Sequence, residues 1–212
     1  QRDKAAISAI MEGLVLSGIA MSYIGNSRPA SGSEHHMSHY WEMMFLLAET
    51  ADPLHGTKVG VGTVSALRLY EMLKESQASL EFLQAPHFEK EAWQKQILDA
   101  YGPAACGVLK LEEEIGKNSD EKVSRRRKTF LEHQEEIWKI VDALPSSKDI
   151  QKLLESMNAP YSPAQLQVPK EVFQKGIYFA KDLRNRFGLL QILFDFGLQE
   201  TFSQKLIDEF YI

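Results

Sequence analysis

Asn26-Ser-Arg-Pro-Ala-Ser-Gly-Ser-Glu-His-His36, Met37-Ser-His-Tyr-Trp-Glu42 and Leu54-His-Gly-Thr-Lys-Val-Gly-Val-Gly-Thr63 carry most of the chemistry in this 212-residue chain. Four of the six histidines lie here: His35, His36, His39 and His55. Gly25-Asn-Ser27 stops whatever helix precedes, and Arg28-Pro29 is extended because proline biases its predecessor away from helix. Ser31 or Ser33 suits an N-cap, and Glu34 suits the positive end of a helix dipole. His35, His39 and Glu42 then fall four and three apart, on one helical face. Met37, Trp41 and Phe45 take other, apolar faces.

Imidazoles are common ligands of zinc- and nickel-like ions, so the decisive question is whether His35 and His55 can meet. A helix running from Glu34 to Thr50 would carry the chain ~24 Å away. If it ends near Phe45 to Leu47, about 8 residues remain, reaching up to ~26 Å. The pair is therefore feasible only if the helix stops early. Two ligands do not complete a catalytic site, and neither Glu34 nor Glu42 is a convincing third. His39, one turn beyond His35, suits contact with a substrate hydroxyl. Arg28, Ser31, Ser33 and Lys58 surround the cluster and suit an anion such as a phosphate. The plainer alternatives are surface or core histidines and a solvated Lys58.

Working outward, the chain reads as amphipathic helices. They cover Asp3 to Ile24, Glu34 onward, Thr57 to Ser76, Phe88 to Tyr101, Pro103 to Ile115, a long charged helix from Glu121 to Val141, a short one to Met157, Lys170 to Arg186, Gly188 to Phe196, and Thr201 to Phe210. Period-two alternation is absent, so no sheet is expected. Neither a GxGxxG nor a P-loop occurs, so no nucleotide site of its own is expected. The fold class is all-α: a single helical metal- and substrate-binding domain over 1–212. Its core is 1–76 and 168–212, with a helical insertion at about 86–160.

A net charge of −5 argues against nucleic acid or anionic membrane as the main partner. Arg125-Arg-Arg-Lys128 is flanked by glutamates and reads as a solvated helix face. The one cysteine, Cys106, precludes an internal disulfide framework and fits a reducing, cytoplasmic setting. It sits among small residues, as a packed thiol would. Trp93 and Trp138 read as packing residues. Apolar stretches such as Leu14–Ile24 read as too short to cross a bilayer.

With these motifs in order, the sequence resembles the sn-glycerol-1-phosphate dehydrogenases, particularly the bacterial AraM type, strongly over residues 3–75. The segment Ala180-Lys-Asp-Leu-Arg-Asn-Arg186 resembles the family's C-terminal helices. The wider superfamily includes dehydroquinate synthase and the iron-type alcohol dehydrogenases. It implies an all-helical C-terminal domain that supplies two metal-binding histidines, with Zn or Ni in a cleft facing an N-terminal α/β domain that binds NAD(P). The pattern His-x-x-x-His-x-x-Glu matches His35, His39 and Glu42. The resemblance thus makes His35 and His55 metal ligands and His39 the catalytic, substrate-contacting residue. It places the third ligand and the whole nucleotide site outside this sequence.

The sequence starts at Gln1 inside a helix, so a fragment lacking that N-terminal domain is the expectation. The implied reaction is reduction of dihydroxyacetone phosphate, which this chain alone is not expected to perform. Its partners would be a small phosphorylated polyol, the α/β domain, and a second copy in a homodimer. Two alternatives stand beside it: a dehydrogenase acting on another polyol phosphate, and a helical interaction module without activity.

Overall fold

A computed structural model describes residues 3–211. Among them there are helices and no strand, as the periodicity requires. The chain forms two compact units, one up to Gly32 and one from Ser33 onward.

The first unit is helix α1, Lys4–Ile24, followed by a 3-10 turn at Arg28–Ala30. Asp3 caps α1, its side chain accepting from the Ala6 amide at 2.7 Å. Gly25 ends it at φ 71°, a left-handed conformation that glycine adopts without steric cost. None of the residues of α1 is buried. The apolar stretch judged too short from sequence is part of a 21-residue helix with a mean hydropathy of 1.6. By length and composition alone that helix could cross a membrane.

The second unit is built on α2, Ser33–Leu47, and α3, His55–Glu75. Met37, Tyr40 and Trp41 of α2 are fully buried, as are Val61 and Leu69 of α3. Their spacing is the apolar stripe of a helix, and each such side chain contributes roughly 1.5–3 kcal/mol by leaving water. Gly62 explains the closeness of the pair. A Cβ there would stand 2.7 Å from the Glu34 carbonyl oxygen. Gly176 does the same for α9, Lys170–Phe179, where a Cβ would meet Trp41 Nε1 at 3.0 Å.

Residues 86–160 share this core. Helix α4, Lys90–Tyr101, buries Trp93, Ile97 and Tyr101. Tyr40 Oη donates to the Ala100 carbonyl at 3.0 Å, and Tyr101 Oη to the Phe179 carbonyl at 2.8 Å. Helix α5, Ala105–Ile115, follows a 3-10 turn at Gly102–Ala104. Cys106 at its start is exposed, not packed, because Ala105, Val108 and Glu112 take the buried face of the helix.

The expected long helix from Glu121 to Val141 is two, α6 (Asp120–Glu132) and α7 (Gln134–Asp142), interrupted at His133. Packing forces the break. Phe130 and Trp138 are both buried, with ring centroids 5.7 Å apart. A straight helix would separate them by ~12 Å along its axis. Helix α8, Ser147–Ser156, starts where the Ser146 side chain caps the Asp149 amide.

The chain closes with α9, a 3-10 turn at Ala180–Leu183, then α10 (Leu189–Asp195) and α11 (Gln199–Phe210). The turn ends the helix expected to reach Arg186, because Lys181 and Asp182 are drawn inward. Lys181 Nζ donates to Asn118 Oδ1 at 3.0 Å and Asp182 Oδ1 at 2.8 Å. The basic run on α6 is likewise half internal: Arg126 is paired with Asp195, and Arg127 stacks 4.5 Å above the Phe196 ring.

Candidate metal centre

Helix α2 does end early, at Leu47, meeting the condition set by the His35–His55 spacing. The Thr50 amide closes the exit by donating to the Phe45 carbonyl at 3.1 Å. A seven-residue connection, 48–54, then returns the chain so that His55 is the first residue of α3.

The result is a cluster of three imidazoles. Ring centroids are 5.5 Å apart for His35 and His55, 5.1 Å for His39 and His55, and 6.2 Å for His35 and His39. Each ring turns its Nδ1 toward a carboxylate. His35 Nδ1 is 2.9 Å from Glu34 Oε1, His39 Nδ1 3.2 Å from Glu42 Oε2, and His55 Nδ1 3.7 Å from the same Glu42 oxygen. A carboxylate behind an imidazole fixes its tautomer and leaves Nε2 as the ligand atom, the pattern typical of metal-binding histidines. Among the described residues, the group whose ligand atoms all lie within 4.8 Å of one another is His39, Glu42 and His55, without His35. The donor set therefore suits a zinc- or nickel-like ion.

Glu42 is the hub. Partial burial pushes its carboxyl up, but hydrogen bonds from His39 and Lys58 and the charges of Lys58 and His55 hold it below the usual value. Lys58, expected among the anion-binding residues, is 0% exposed, so it is neither solvated nor open to a ligand. Its ammonium pairs with Glu42 at 3.3 Å and with Asp52. Ser33 is also buried, its Oγ accepting from the Leu190 amide at 3.4 Å. Arg28 and Ser31 belong to the first unit.

Beside the cluster lies a groove of about 580 Å³, lined by His36, His39, Glu42, Met43, Leu183 and Arg184 among others. Sequence reasoning missed three of this site's residues. His36 was counted but given no role. It is 7% exposed, its Nε2 has no hydrogen-bond partner among the described residues, and burial, with the Lys117 and Arg186 charges, lowers its pKa to about 4. Arg184 stood within the recognised C-terminal segment, so that signal was available. Asp52 offered none, because nothing in a loop sequence marks an aspartate as the partner of a buried lysine.

These features define a class: an all-α domain presenting three imidazoles backed by carboxylates at the edge of a groove. The comparisons narrow it. The chain is 32% identical over 191 residues to glycerol-1-phosphate dehydrogenase (NAD(P)+) of Halalkalibacterium halodurans, covering 90% of this chain and 38% of that protein. It is 30% identical over 199 residues to the enzyme of the same name from Geobacillus thermodenitrificans, covering 93% and 41%. For that of Geobacillus stearothermophilus the figures are 31% over 188 residues, covering 88% and 38%. The chain belongs to the glycerol-1-phosphate dehydrogenase family, and spans about two-fifths of the length of these relatives. No family model and no solved structure matches it.

Proposed function

We propose that these 212 residues are the metal- and substrate-binding part of an NAD(P)-dependent dehydrogenase acting on a small phosphorylated polyol, with glycerol 1-phosphate and dihydroxyacetone phosphate as the pair. The observation that carries this reading is the convergence of His35, His39 and His55, each with Nδ1 toward a carboxylate. His35 and His55 would hold the ion, and His39 would contact the substrate. A divalent ion there would polarise a carbonyl and stabilise an alkoxide. The chain's own residues do the rest. Glu42 orients two imidazoles, the groove admits the polyol, and Arg184 offers a guanidinium for its phosphate.

The nicotinamide cofactor falls to residues other than these, since no strand and hence no βαβ unit occurs among the described residues. The reading therefore assigns no hydride transfer to this chain alone. It gives the exposed apolar side chains of α1 to packing against an α/β domain or a second copy.

The test has two arms. The purified chain should take up one Zn²⁺ or Ni²⁺ per molecule, and His35→Ala with His55→Ala should abolish this. An α/β domain from a relative, added in trans, should restore NAD(P)H-dependent reduction of dihydroxyacetone phosphate. No stoichiometric metal would refute the first arm, and no activity at any ratio the second.

A further inference from the structure

Arg184 is exposed and follows the 3-10 turn at Ala180–Leu183 in extended backbone, at φ −144° and ψ 149°, while α10 starts only at Leu189. Leu183 and Arg184 nevertheless form part of the groove lining, with His36 and His39. What fixes this wall comes from the turn between α5 and α6. Gly116, left-handed at φ 52°, ends α5, and the next two residues, Lys117 and Asn118, are 6% and 0% exposed.

Lys117 Nζ donates to the Lys181 carbonyl and, at 3.0 Å, to the Arg184 carbonyl. Carbonyl oxygens at the end of a helical turn carry partial negative charge, which an ammonium offsets where an anion is to bind nearby. Burial lowers the pKa of the amine to about 8, so it is still mainly an ammonium at pH 7. Asn118 holds the same turn by its side chains: Nδ2 donates to Asp182 Oδ1 at 2.9 Å, and Oδ1 accepts from Lys181 Nζ at 3.0 Å. The post itself is anchored, since the Lys117 carbonyl accepts from Arg126 Nη1 at 2.8 Å.

We propose that Lys117, backed by Asn118, is a positioning residue for the substrate's phosphate: it clamps the backbone at residues 181 and 184 and so holds Arg184 at the groove. The inference rests on the reading of Arg184 as the phosphate-binding side chain. It goes beyond that reading by naming what makes an exposed arginine effective, because a group ordered in advance loses less freedom on binding.

The test uses the full 212-residue chain with Zn²⁺ present and sn-glycerol 1-phosphate as probe, both affinities being read by calorimetry. Arg184→Ala should weaken glycerol 1-phosphate about tenfold. Lys117→Met should weaken it about fivefold and leave Zn²⁺ affinity unchanged. The double variant should lose no more than Arg184→Ala alone, because Lys117 acts through Arg184. A lysine that acted by its own charge would give losses that multiply, and one that served only stability would leave the affinity at its wild-type value.

Wild-type affinity in Lys117→Met overturns the inference, as does a double variant about fiftyfold weaker than wild type. If Lys117→Met does not fold, Asn118→Ala, which frees Lys181 and Asp182 of the same turn, takes its place with the same two overturning results. Should the unmodified chain bind no glycerol 1-phosphate, or Arg184→Ala bind it as wild type does, the substrate reading fails and takes this inference with it. Should Arg184→Ala weaken binding and Lys117→Met not, only the role of Lys117 fails.

Discussion

Arg126 grips Asp195 side-on, Nε to Oδ2 at 2.6 Å and Nη2 to Oδ1 at 2.7 Å, and so ties α6 to α10. Asp195 is 1% exposed, and Gln191 Nε2 adds a third hydrogen bond at 2.9 Å. The remaining guanidinium nitrogen, Nη1, donates to the Lys117 carbonyl at 2.8 Å. Removing one partner of a buried, hydrogen-bonded pair strands the other. Asp195→Ala should therefore cost about 3 kcal/mol in urea denaturation. A loss below about 1 kcal/mol would show that water reaches the arginine.

Gly62→Ala adds one methyl group 2.7 Å from the Glu34 carbonyl oxygen, a backbone atom that cannot swing aside. Overpacking of this kind costs typically 1–3 kcal/mol. Because Glu34 precedes His35, α2 should shift at the cluster. Metal uptake should weaken although no candidate ligand is touched. Gly60→Ala is the control: its Cβ would meet only Leu154 side-chain carbons, at 3.7 and 3.9 Å, and uptake should be unchanged.

Stability should fall between pH 6.5 and 4 on account of His36. Burial lowers its folded pKa to about 4, while the unfolded chain keeps the ordinary value of 6.5. Over that window the unfolded state binds the extra proton, so acid favours unfolding, and the effect levels off below about pH 4. The full effect is up to about 3 kcal/mol. His36→Leu should flatten this part of the pH profile. The Nε2 that leucine removes has no hydrogen-bond partner among the described residues. An equally steep profile in His36→Leu would assign the slope to other groups.

Helix α8 is held to α3 by Glu71, which accepts from the Ser147 amide at 2.7 Å and from Ser147 Oγ at 2.8 Å. Glu71 thus serves one of the free amides at the start of α8 from a distant part of the chain. Glu71→Ala should cost about 1 kcal/mol, in the range of a lost cap. It should also speed proteolysis at Leu144–Ser147 before the core opens. Uniform protection of that segment would refute the anchoring role.

Much of this architecture was legible in the sequence. The apolar spacing in α2 and α3 gave two packed helices, and simple chain geometry required α2 to stop near Leu47 if His35 and His55 were to meet. What escaped were outcomes set by distant partners. The break at His133 follows from Phe130 and Trp138 sharing one core, which no local pattern encodes. The 3-10 turn at Ala180–Leu183 follows from Lys181 and Asp182 reaching Asn118. Arg126 and Arg127 looked solvated because their neighbours in sequence are charged, yet their neighbours in space are Asp195 and Phe196. Lys58 was misjudged for the same reason: burial of a lysine depends on the carboxylates that the fold delivers, here Asp52 and Glu42.

The exposed position of Cys106 has a practical consequence. It is the single thiol of the chain and immediately precedes Gly107, which lines the groove beside His39 and Glu42. A maleimide dye or nitroxide attached there needs no engineered cysteine and no removal of competing ones. Such a label would report, by quenching or line broadening, the arrival of a paramagnetic ion or a bulky ligand in the groove.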